Sequence, residues 1–126
     1  MKPMGVKAHT DLEGSRLALD TTMAVFEQSQ GFPVEERYAL TDQVRQSSRS
    51  VCANVGEAWR KRRYQAAFIA KLSDEEAEAA ETQIWIEFAG RCHYRNRDMG
   101  ASLYQTYDQI IDKLVTMIHN PSPWLL

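Results

Sequence analysis

Arginine dominates the chemistry this sequence can offer. Arg60-Lys61-Arg62-Arg63 is its densest charged run. A helix terminus uses one or two cations, each worth only ~0.3–1 kcal/mol and effective within one turn, so such a run has charge to spare. Guanidinium groups suit carboxylates and phosphates alike. Trp59 and Tyr64 flank the run, and bases stack on such rings. Residues 37–63 carry seven basic and two acidic side chains, whereas residues 64–87 carry one basic and six acidic ones. Two uses follow. Nucleic-acid phosphates would meet Arg45, Arg49, Arg60, Lys61, Arg62 and Arg63. Alternatively, the same cations pair with Glu78, Glu81 and their neighbours, within a subunit or between subunits.

Other chemistries find little support. Carboxylates stacked on a helix raise the question of a di-iron centre, which needs Glu-x-x-His on two helices. Val6, Gly90 and Thr116 stand three residues before His9, His93 and His119, so the motif is absent. Cys92-His93 alone makes a weak metal site. The chain lacks a phosphate-cradling Gly-rich loop and a Gly-x-Ser-x-Gly elbow. Ser47-Ser48 reads as a small-residue packing site. No catalytic residue, metal, cofactor or small-molecule substrate is expected.

These side chains need helices to position them. The 126 residues suit one domain. Apolar residues make up 44%, charged residues 25% and the net charge is −2, which argues against a surface basic throughout. Cys52 and Cys92 form no Cys-x-x-Cys pair, residues 1–14 lack an apolar signal core, and no apolar run approaches the ~20 residues of a membrane span. Reduced thiols, a cytoplasmic location and no membrane association are expected. The expected fold is all-α: an antiparallel up-down-up-down bundle over residues 14–120, with a flexible arm at 1–13 and an apolar tail at 121–126.

In the first helix the apolar spacing selects Leu12, Leu19, Met23 and Phe26, ending at Gly31 and Pro33. The second is expected to open at Pro33-Val34-Glu35-Glu36 and run to about residue 62, with Leu40, Val44, Ser47, Val51, Val55 and Ala58 inward. The third, 65–93, has two stripes: Ile69, Leu72, Ala79 and Ile86, and beside it Ala77, Ala80, Ile84 and Phe88. A helix apolar on two sides is buried on both, which predicts self-association. A loop at 93–100 precedes a fourth helix with Leu103, Tyr107, Ile110, Leu114 and Met117 inward. Trp124-Leu125-Leu126 should dock.

Two further faces bear on assembly. Asp42, Arg45, Arg49, Cys52, Gly56, Arg60 and Arg63 fall within roughly an 80° arc at 100° per residue. Gly56 costs helix stability, which suggests close approach by another backbone. Asp74, Glu78, Glu81, Trp85, Phe88 and Cys92 share a similar arc. Cys52, Gly56, Glu78, Glu81 and Trp85 are therefore candidate close-packing or oligomer contacts.

The stretch 36–58, centred on Asp42-Gln43-Val44-Arg45-Gln46-Ser47-Ser48 and Ala53-Asn54, resembles the signature of the four-helix bundle proteins also called 23S rRNA intervening-sequence proteins. So do Phe68-Ile69-Ala70-Lys71-Leu72-Ser73-Asp74, residues 78–89, and Phe32-Pro33 ahead of Glu36-Arg37-Tyr38. The resemblance covers about residues 11–118. It implies a bundle assembled into a ring, typically a homopentamer. Some members are encoded within insertions in the large ribosomal RNA gene. A related basic branch, the accessory variability determinant beside reverse transcriptases in diversity-generating retroelements, is thought to bind nucleic acid. The partners implied are further copies of the chain and RNA or single-stranded nucleic acid; an oligomeric protein scaffold is the alternative. The chain departs from the pattern in three places. Gly56-Glu57-Ala58 stands where the family has Ala-Glu-Gly. Polar His93-Tyr94-Arg95 replaces a Gly-Tyr-Leu-like segment. The overall charge is acidic.

Overall fold

A computed structural model describes residues 14–126. They form four packed α-helices and two short 3-10 turns, with no strand among the described residues. Leu12 and the expected arm lie outside the described residues.

Helix α1 spans Ser15–Ser29 and opens at Gly14, whose φ of 85° favours glycine. Its inward face is not the expected one. Ala18, Thr21, Thr22, Val25 and Ser29 are buried, whereas Leu19 and Met23 are each 54% exposed and Phe26 is half-buried. Hydroxyls make this possible. Thr21 and Thr22 donate to the carbonyls of Leu17 and Ala18 at 2.6 and 2.8 Å, and Ser29 donates to that of Phe26 at 2.8 Å. Hydrogen-bonded hydroxyls can be buried at little cost, and their small size lets α1 lie close to its neighbour.

The second helix starts later than the proline suggested. Pro33 is extended, Val34–Glu36 makes a 3-10 turn, and α2 runs Leu40–Arg60. The acid still meets the helix start, since Glu36 Oε1 accepts from the Leu40 N–H at 3.4 Å. All six expected inward positions of α2 are buried.

Helix α3 spans Gln65–Arg91. It ends at His93, which stands at φ 59°. The His93 N–H donates to the Gly90 carbonyl at 3.1 Å and the Tyr94 N–H to the Ala89 carbonyl at 3.0 Å. This pair of bonds closes a helix with a left-handed residue, usually glycine. The following loop is shorter than expected. Asn96 Oδ1 accepts from the Asp98 and Met99 N–H groups at 2.7 and 3.4 Å, so α4 spans Arg97–His119 and takes in Gly100.

Each helix packs on two others: α1 on α2 and α4, and α3 on α2 and α4. Thus α1 and α3 occupy opposite corners. Phe68, Leu72, Tyr107, Ile110, Leu114 and Met117 lie at the centre, each at most 2% exposed. Trp124 and Leu125 of the tail pack on this core, and the Leu126 N–H donates to the Arg62 carbonyl at 3.3 Å.

Candidate nucleic-acid interface

The six candidate cations do not form one cluster. Arg45 and Arg49 stand on α2 above α1. The Arg45 guanidinium lies 4.7 Å from the Phe26 ring centroid and its Nε–H donates to Ser29 Oγ at 2.7 Å. Arg49 lies 5.8 Å from the same ring. Both cover Phe26, and Arg45 is thereby held in place.

Residues 60–63 lie at the other end of α2, in the turn to α3. Arg62 serves the chain itself. Its guanidinium sits 3.3 Å from the Trp59 ring centroid, and its Nε–H donates to the Trp59 carbonyl at 2.9 Å. Burial, and then the charge of Arg60, push its pKa below the usual value. Arg60, Lys61 and Arg63 are exposed, as is Tyr64 at 65%. The register of α1 on α2, with Thr22 on Ser48 and Ser29 on Arg45, brings exposed Arg16 toward the same end. Neither Arg16 nor the openness of Tyr64 was singled out from sequence. Only the helix register places Arg16 near the basic turn.

The acids that might neutralise this turn are engaged elsewhere. Lys71 Nζ lies 2.7 Å from Glu57 and 3.7 Å from Asp74. Among the described residues, no ion pair joins Arg45, Arg49 or residues 60–63 to Glu78 or Glu81. Glu78 instead has its pKa raised by burial and then by the charges of Glu81 and Asp74, and among the described residues neither Glu78 nor Glu81 is in an ion pair.

The other close-packing candidates divide. Cys52 packs inward on the core and its thiol meets Thr22 Oγ1 at 3.3 Å. Gly56 has nothing within 4 Å of where a Cβ would stand, which removes close packing inside the chain as its reason. Trp85 is half-buried, its Nε1 lacks a partner, and its ring lies 5.8 Å from that of Phe88. With Glu36, Ala39, Leu40, Gln43 and Cys92 these two rings line an apolar cleft. Ile84 and Phe88 are 51% and 53% exposed, and Ala77 and Ala80 are also exposed, so the second stripe of α3 is uncovered. No helix among the described residues is long and apolar enough to cross a membrane.

Comparison with known proteins places these features in context. A family model described as 23S rRNA-intervening sequence protein matches residues 10–116. A solved structure of a protein of unknown function from the S23 ribosomal protein family of Bacteroides thetaiotaomicron is similar at a TM-score of 0.75 and 25% identity. The match covers 84% of this chain and 95% of that one. No curated protein matches.

Proposed function

The chain belongs to the 23S rRNA-intervening sequence protein family, and from that premise we propose a non-enzymatic, cytoplasmic, ring-forming protein of antiparallel helices that holds RNA by the basic turn at residues 60–63. One observation carries this reading: Arg60, Lys61 and Arg63 are exposed and have no carboxylate partner among the described residues, while the nearby Glu57 and Asp74 are held by Lys71. Uncompensated cations clustered in one turn favour a polyanion, and Tyr64 beside them offers a ring for an unstacked base. In a ring the turn recurs in every subunit, so weak contacts add up as avidity.

Binding should be tolerant of sequence and sensitive to salt. Three phosphate contacts per subunit correspond to a slope of about −2 to −3 in log K against log salt, steeper for paired than for single-stranded RNA. The test is a gel-shift titration of structured RNA at low salt, comparing the natural chain with a variant carrying Gln at 60, 61 and 63. Loss of the shift at unchanged native mass supports the reading. No shift by the natural chain at tens of micromolar protein overturns it. The second reading, an oligomeric protein scaffold, is favoured by the exposed apolar stripe of α3 beside Glu78 and Glu81, which form no ion pair among the described residues.

A further inference from the structure

Glu75 was no part of any site read from the sequence. It is 3% exposed, and its Oε1 is fully buried with no hydrogen-bond partner among the described residues. The other helices supply polar groups around it. Cys52 of α2 is close enough to feel the charge of Glu75, and Tyr107 of α4 that of Cys52. Tyr107 is fully buried and points toward Thr22 of α1, yet its hydroxyl has no partner within hydrogen-bond distance among the described residues. The Thr22 hydroxyl proton is committed to the carbonyls of Ala18 and Ser48, at 2.8 and 3.0 Å, so the Cys52 thiol donates to Thr22 and is not available to Glu75. The nearest cation on its own helix, Lys71, is bound to Glu57 and Asp74.

We infer that this level of the core is a proton-operated latch: the four helices close fully around Glu75 only while its carboxyl is protonated, and loss of that proton loosens the bundle. The facing groups leave the charged form no support. Cys52 and Tyr107 are themselves neutral acids whose pKa values are raised chiefly by burial. An ionised carboxylate without a partner is costly in such a site. Burial alone pushes Glu75 from 4.5 up to about 8.

The sign follows from which state holds the proton. Between about 4.5 and about 8 the folded chain keeps it and the unfolded chain has released it. Rising pH therefore favours unfolding throughout that window; below it both states are protonated, above it both are ionised.

The test follows the folded-to-unfolded ratio against pH by urea titration, at fixed protein concentration because assembly also stabilises. The natural chain should lose close to tenfold per pH unit relative to Glu75→Gln across the window. Equal pH profiles for the two proteins would overturn the latch. Should the variant not fold, carbon-13 titration of the Glu75 carboxyl in the natural chain decides. A midpoint well above neutral supports the latch, and one in the ordinary carboxylate range overturns it.

Discussion

Arg62 and Arg60 stand two residues apart in one basic run and do different work. Arg62 lies over the Trp59 ring and bonds its carbonyl, while its own carbonyl holds the end of the tail. Arg60 is exposed and in no ion pair among the described residues. Arg62→Ala should therefore lower stability by about 1–2 kcal/mol, since a cation over an indole face is worth ~0.5–2 kcal/mol and its hydrogen bond adds to that. Arg60→Gln should stay within about 0.5 kcal/mol of the natural chain and reduce RNA affinity instead. Paired urea titrations and RNA titrations separate the two. The sequence shows four cations but cannot say which one folds back, because that depends on the end of α2 leaving the Trp59 face open. Gly56 shows the same limit. Its helix cost is legible from sequence, yet no described residue of the chain comes within 4 Å of where its Cβ would stand.

At the scale of elements, regular apolar spacing was a good guide where one face meets the core and a poor one where small polar residues do. α2 and α4 present their expected stripes inward, with Leu103 of α4 half-buried. α1 turns its expected stripe outward because Thr21, Thr22 and Ser29 satisfy their own hydroxyls and pack more closely than Leu19 or Met23 would. Hydropathy counts those hydroxyls as polar and misses that each also bonds a carbonyl of its own helix. The end of α3 is a second case. The sequence showed His93 where the resembling proteins carry glycine, and the structure puts that residue at φ 59°. A left-handed non-glycine residue costs roughly 1–2 kcal/mol, partly offset because glycine loses more entropy on folding. His93→Gly should therefore raise stability by about 0.5–1 kcal/mol, read as a higher urea midpoint at an unchanged slope.

At the scale of the whole molecule, the uncovered apolar surface lies on opposite corners. Leu19 and Met23 of α1 point out on one side, Ile84 and Phe88 of α3 on the other, and α1 and α3 do not touch. The α1 side is bordered by Arg45 and Arg49, and the α3 side by Glu78 and Glu81, which form no ion pair among the described residues. These are two unlike patches, one bordered by cations and one by acids. They fit a head-to-tail contact, in which the α1 side of one copy meets the α3 side of the next and the chain of contacts closes into a ring. This is the assembly argued for above, and it has a test that ring size does not affect. Met23→Glu should disable the α1 side and Ile84→Lys the α3 side, each leaving the folded subunit intact because both positions are half exposed. Alone, each variant should run as a monomer by native mass. Mixed, they retain one sound α3 side and one sound α1 side between them, so the mixture should form a dimer and stop there. A mixture that stays monomeric, or a single variant that still assembles fully, would assign the contact to other surfaces.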